Sequence, residues 1–150
     1  MIERKCSCEM GMHRAPLERY IIESGAVNRL PELLENYNKI YMVCDENTYR
    51  VLGERAEQIL KSVGKFSHKH ILKGDVLPDA RNIGDVLIHL NDPKADSDIF
   101  KYSPQPDFIL AVGSGVVNDV CRVVSYRLGL PYGIAGTAPS MDGYASAGSP

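Results

Sequence analysis

DFILAVGSGVVNDVCRVVSYRLGLP, residues Asp107 to Pro131, reads as a strand, a tight turn and a helix in succession. Phe108 to Val112 is apolar throughout, as expected of a strand buried on both faces of a parallel sheet. Gly113-Ser114-Gly115 interrupts it. Val116, Val120, Val123, Val124 and Leu128 then recur at helical spacing, which predicts a helix ending near Gly129 with Pro131 just beyond. Glycines at the carboxyl end of a strand let backbone N–H groups approach an anion. The helix N-terminus that follows adds unpaired donors and the positive end of its dipole. Ligands of open α/β sheets bind at this edge. Asn118 stands where the third glycine of G-x-G-x-x-G would fall, so a phosphate-binding loop and a plain strand-to-helix turn are both open readings of these residues.

Downstream, Tyr132 to Ala135 reads as another strand. It leads into Gly136-Thr137-Ala138-Pro139-Ser140-Met141-Asp142-Gly143-Tyr144-Ala145-Ser146, a run of small residues, hydroxyls and one carboxylate. Two such loops from neighbouring strands can face each other across one crevice; a merely polar loop has the same composition.

Upstream the same alternation continues. Arg19 to Glu23 (RYIIE) is expected as a short strand, and Asn28 as the cap of a short helix carrying Leu30, Leu33 and Leu34. Lys39 to Cys44 (KIYMVC) is expected as a buried strand. A helix carrying Val51, Leu52, Ala56, Ile59, Leu60 and Val63 should follow and stop at Gly64. Phe66 to Leu72 (FSHKHIL) reads as a third strand that places His68 and His70 on one face. With no third ligand nearby in sequence, that face is expected to meet solvent rather than a metal. Pro78 to Leu90 suits a helix with Ile83, Val86, Leu87 and Leu90 inside, and Asn91 to Pro106 an exposed loop. Lys5 to Pro16 looks irregular, and no Asn-Gly hairpin signal occurs. Strands alternating with helices predict an α/β fold, a Rossmann-like parallel sheet with helices on both faces.

With 150 residues, 44% of them apolar and 24% charged, the chain has the composition of one globular domain with its own core. A net charge of −2 supplies no cationic excess for nucleic acid or an anionic membrane. The longest apolar run is about five residues, against the roughly twenty that a membrane helix needs. The polar start MIERKCSCEM has no signal-peptide core. With four cysteines, at 6, 8, 44 and 121, the expectation is reduced thiols and a cytoplasmic location. Cys6-x-Cys8 followed by His13 has the residue types of a metal site but not its usual spacing, so a plain turn is the expected reading.

Taken together, GSGVVNDVCRVVSYRLGLPYGIAGTAPSMDGYAS resembles the sn-glycerol-1-phosphate dehydrogenases, within the glycerol dehydrogenase and iron-containing alcohol dehydrogenase superfamily. VCDENTY (Val43 to Tyr49), LKGD (Leu72 to Asp75) and the early CSC…H are similar too. The resemblance implies the N-terminal NAD(P)-binding domain of a dehydroquinate synthase-like fold, filling residues 1 to 150. A helical C-terminal domain, expected outside these residues, would carry an Asp and two His that hold zinc, nickel or iron. His13, His68, His70 and His89 do not match those ligands, so no metal is expected within this chain, which alone should not catalyse.

By the same resemblance, Gly113, Ser114 and Gly115 would cradle the pyrophosphate of NAD or NADP, with Asn118 and Asp119 beside it. Asp45 would lie near the adenosine ribose, Thr137 and Ser140 would line the nucleotide site, and Asp142 would reach the substrate or a metal-bound water. Asp45, Asn118 and Asp119 are equally open to ordinary helix-start roles. The implied reaction is reduction of dihydroxyacetone phosphate. A polyol substrate, as in glycerol dehydrogenase, or a non-catalytic nucleotide-binding role are the alternatives. Self-association into a homo-oligomer is left open.

Overall fold

The computed structural model describes residues 2–9, 11–15, 17–90, 105–139 and 143–145. It begins with an antiparallel hairpin, β1 (Ile2–Lys5) against β2 (Met12–Ala15), with Lys5 opposite Met12. The expectation of an irregular segment here is corrected. The Cys6 N–H donates to the Gly11 carbonyl at 3.1 Å and closes a turn that no Asn-Gly pair announces. Arg19 to Glu23 is irregular rather than a strand. Tyr20 and Ile22 are 65% and 91% exposed, so this apolar pair is not buried against any sheet. A 3₁₀ turn (Ala26–Arg29) runs into α1 (Leu30–Leu33). Asn28 lies inside that turn, its Nδ2 donating to the Gly25 carbonyl, and caps neither helix.

The main sheet is parallel, with strand order β4-β3-β5-β6, built from β3 (Ile40–Asp45), β4 (Phe66–Leu72), β5 (Phe108–Gly113) and β6 (Tyr132–Gly136). Between β3 and β4 run α2 (Glu46–Thr48), a π-helical turn (Tyr49–Gly53) and α3 (Glu54–Ser62). Next come α4 (Ala80–Ile88), after β4, and α5 (Gly115–Leu128), between β5 and β6. The apolar run of β3 is explained by burial of both its faces. Tyr41 and Val43 join Ile109 and Ala111 under α4 and α5, packed by Val86, Val117, Val120 and Val124. Ile40, Met42 and Cys44 join Leu110 and Val112 on the other face, under α1 and α3, packed by Leu30, Ala56 and Leu60. The α/β sheet with helices on both faces is therefore as expected.

Helix α5 buries Val117, Val120, Cys121 and Val124, while Leu128 is 40% exposed and Val116 only half-buried. Its inner stripe is thus offset from the one read in the sequence, because Cys121 is counted among the apolar positions and the last turn leaves the sheet. Gly129 ends the helix at φ 65°, and the Leu130 N–H reaches back to the Ser125 carbonyl at 3.1 Å, a left-handed cap suited to glycine. His68 and His70 do not face solvent: α4 covers their side of β4. The expected loop Asn91–Pro106 lies almost wholly outside the described residues. No helix of the described residues is long and apolar enough to cross a membrane.

Candidate functional site

The strand order creates a natural crevice. From β3 the chain moves outward to β4, then returns to β5 on the other side of β3. The helical run after β3 packs on one face of the sheet and α5, after β5, on the opposite face. Connections that leave two neighbouring strands in opposite directions open a gap at their carboxyl ends, where ligands of such sheets bind. Asp45 ends β3 and Gly113 ends β5, so both flank this gap.

Gly113 is the last residue of β5, Ser114 the N-cap of α5 and Gly115 its first helical residue. A Cβ on Gly113 would lie 2.7 Å from Val117 Cβ, so close packing of α5 on its own strand requires glycine there. The Ser114 side chain makes no capping hydrogen bond. By contrast, Asp79 accepts from the Asn82 N–H at the start of α4, and Asp45 accepts from the Asn47 and Thr48 N–H groups at the start of α2. Among the described residues, the first turn of α5 therefore presents backbone donors that its own N-cap side chain does not occupy, the arrangement that suits an anion.

The second loop is tied to the first. Gly113 and Gly136 are partners in register, and the Thr137 N–H donates to the Gly113 carbonyl at 3.0 Å. The Tyr144 hydroxyl donates to the Ala138 carbonyl at 2.7 Å, folding the loop back on itself. Arg122 was not anticipated from the sequence. Its Nε donates to the Tyr132 hydroxyl at 2.9 Å, its Nη2 donates to the Gly143 carbonyl at 2.7 Å, and its Nη1 lies 3.9 Å from Asp119 Oδ1. One guanidinium thus joins α5, β6 and the second loop. The available signal was a lone arginine among the apolar positions of VNDVCRVV. Ser140 and Asp142 lie outside the described residues.

Asn118 and Asp119 are buried in the first turns of α5. Asp119 is drawn toward Arg122. Asn118 is 0% exposed, and its Oδ1 has no hydrogen-bond partner among the described residues. A buried unpaired acceptor costs about 1–3 kcal/mol, so this atom fits a group that brings a donor, such as a hydroxyl or carboxamide. With the uncapped helix start for an anion and this acceptor for a donor, the residues present fit a dinucleotide. Asp45 forms a capping box with Thr48 in which both backbone N–H groups use its Oδ1, leaving Oδ2 outside the cap.

Thiol chemistry does not reach this edge. Burial pushes the Cys44 thiol up to about 12 and raises that of Cys121 as well, so both stay protonated. Cys6 and Cys8 are exposed, form no disulfide and join no group of three ligating side chains among the described residues. Away from the crevice, the fold supplies what the sequence reading of His68 and His70 lacked. His70 Nε2 lies 2.7 Å from Asp85 Oδ2, and the His70 and His89 rings stack with centroids 4.2 Å apart. Burial of His70 lowers its affinity for a proton, although Asp85 opposes the shift. No group of three such side chains sits at the carboxyl edge among the described residues, which therefore do not fit a metal there.

A family model described as iron-containing alcohol dehydrogenase matches residues 21–150. The glycerol-1-phosphate dehydrogenase [NAD(P)+] of Halalkalibacterium halodurans is 34% identical over 151 residues, which cover 95% of this chain and 35% of that protein. That of Bacillus subtilis is 33% identical over 140 residues, 89% of this chain and 32% of the relative. The chain thus spans about a third of the length of the curated relatives it matches. Among solved structures, glycerol dehydrogenase from Schizosaccharomyces pombe superimposes with a TM-score of 0.58 at 16% identity, covering 75% of this chain and 25% of that one. A probable glycerol dehydrogenase from Sinorhizobium meliloti gives 0.55 at 19% identity, covering 80% and 28%. At such identities the likeness concerns the fold.

Proposed function

The chain belongs to the iron-containing alcohol dehydrogenase family, and from that premise we propose that it is the nucleotide-binding domain of an NAD(P)-dependent oxidoreductase of the glycerol-1-phosphate type. The observation that carries this reading is the uncapped N-terminus of α5, set at the strand-order switch and hydrogen-bonded through Gly113 to the loop after β6. Gly115 and the α5 N–H groups would hold the pyrophosphate. Asn118 Oδ1 would accept from a hydroxyl or carboxamide, and Asp45 Oδ2 from a ribose hydroxyl. Thr137, with Ser140, would line the same cleft, and Asp142 would contact the substrate. When bound, NAD(P)H supplies a hydride.

The substrate class follows from the relatives, whose names specify glycerol 1-phosphate and NAD(P)+. The proposed reaction is reduction of the ketone of dihydroxyacetone phosphate. The residues at the carboxyl edge bind and orient. Stabilisation of the developing alkoxide is expected from a metal held by groups other than the described residues.

Equilibrium binding followed by nicotinamide fluorescence tests the reading. NADH or NADPH should bind the 150-residue chain saturably and be displaced by ADP-ribose. Gly115→Val puts a branched side chain where the phosphate approaches backbone, and should abolish binding while the melting curve is largely kept. Unchanged affinity in the folded variant would refute the assignment.

A further inference from the structure

We propose that His70, Asp85 and His89 form a binding site for one divalent transition-metal ion of the zinc class, separate from the dinucleotide crevice and independent of the function proposed above. Each of the three residues offers one ligand atom within 4.8 Å of the other two. Two ligands at metal–nitrogen distances of about 2.0–2.1 Å in a tetrahedral shell are roughly 3.3 Å apart. Rotation of the half-exposed His89 side chain closes the difference.

The set is built on regular structure. Asp85 belongs to α4 and His89 is its C-cap, one turn apart, so their side chains share a face. His70 belongs to β4, which is hydrogen-bonded to β3 and lies beneath α4. Ile83 and Val86 anchor α4 in the core, which fixes the distance between helix and strand. Ligands on packed elements of this kind hold their geometry better than ligands on loops.

The hydrogen bonding of His89 is compatible with ligation. His89 Nδ1 lies 2.8 Å from the Asp85 backbone carbonyl. In the tautomer that donates to this carbonyl, Nε2 keeps its lone pair. Metal-bound histidines commonly donate their second ring N–H to a carbonyl or carboxylate in this way, which orients the ring. The His70 and His89 rings are stacked, 16° from parallel, so the half-exposed His89 ring has to turn out of the stack for both in-plane lone pairs to meet one ion. The His70 side chain is 12% exposed, against 41% for Asp85 and 36% for His89. One ligand is thus buried and two reach solvent, so an ion can enter and complete its shell with water. Two imidazoles and one carboxylate suit zinc, cobalt or nickel rather than calcium or magnesium.

The site lies apart from the crevice. His70 pairs with Val43, and Val43 with Ala111, which places His70 two strands across from β5 and two residues short of the level of Gly113. Loss of one function therefore need not disturb the other.

The test uses the 150-residue chain carrying Cys6→Ser and Cys8→Ser, so that the exposed thiols do not compete. Zn²⁺ is titrated by calorimetry and Co²⁺ by its visible absorption. One equivalent should bind, with cobalt bands of nitrogen and oxygen coordination and no sulfur-to-metal charge transfer. Zn²⁺ should also raise the melting temperature by linkage. In the same background His89→Gln and Asp85→Asn, both at half-exposed positions, should weaken binding by more than about 10-fold, since even supporting residues of metal sites are worth that much. NADH affinity should be unchanged. No saturable binding at millimolar Zn²⁺, or equal affinity in folded His89→Gln, would show a hydrogen-bonded staple only and overturn the proposal.

Discussion

Val117 stands where a side chain on Gly113 would have to go: a Cβ at position 113 would lie 2.7 Å from Val117 Cβ and 2.8 Å from its Cγ2. The first glycine of the turn is therefore demanded by the packing of α5 on β5, which holds the helix start at the strand's end. Gly113→Ala should destabilise the chain by about 1–3 kcal/mol, the usual range for forcing an extra carbon into a packed site. Val117→Ala should recover part of that loss in the double variant, although it is costly alone. Urea unfolding of the four proteins checks this. Strictly additive effects would show that the two positions do not compete for space.

Acid should weaken the fold through Glu57. Its side chain is 9% exposed. Burial opposes its ionisation, but hydrogen bonds from Lys61 at 2.6 Å, Lys69 at 2.5 Å and Tyr49 at 2.9 Å outweigh this and hold its carboxyl down at about 2. A carboxylate more acidic in the folded than in the unfolded chain stabilises fully above its ordinary value near 4.5. It loses that contribution as pH falls from there toward 2. The contribution at neutral pH is on the order of 2–3 kcal/mol. Glu57→Gln should therefore lie well below the parent in unfolding free energy at pH 7 and draw level with it near pH 2. A difference that stays constant with pH would contradict the assignment.

Residues 1–150 alone should bind the dinucleotide without turning it over. Hydride delivery to a ketone needs its developing negative charge stabilised, and the described residues of the carboxyl edge offer no group of three metal-ligating side chains. Preorganised stabilisation of this sort is worth about 10²–10³-fold in rate or more. With dihydroxyacetone phosphate, NADH oxidation should stay at background when zinc, nickel or iron(II) is added. Turnover stimulated by any of these ions would show that the catalytic groups lie within this chain.

Much of the architecture was legible because it is written in local pattern. Phe108–Val112 and Ile40–Cys44 are apolar without alternation, which only burial on both faces explains, and the glycines after Val112 mark the turn. What failed was long-range. Arg19–Glu23 has strand composition, yet Tyr20 and Ile22 are left exposed. The N-terminal hairpin turns at Gly11 with no Asn-Gly signal. Asp85 lies fifteen residues beyond His70 on another element, so nothing in local spacing brings them together. Of the candidate site, the turn and both loops were readable as motifs. The role of Arg122 depends on three partners supplied by separate elements.

The most direct test of the central claim is a ¹H–¹⁵N spectrum of the 150-residue chain titrated with NADH. If the dinucleotide lies across the β3–β5 crevice, amide shifts should concentrate at Asp45, Gly113, Ser114, Gly115, Asn118 and Thr137, and leave His70 and the β1–β2 hairpin unmoved. Shifts centred elsewhere, or none at millimolar NADH, would contradict a nucleotide site at the start of α5.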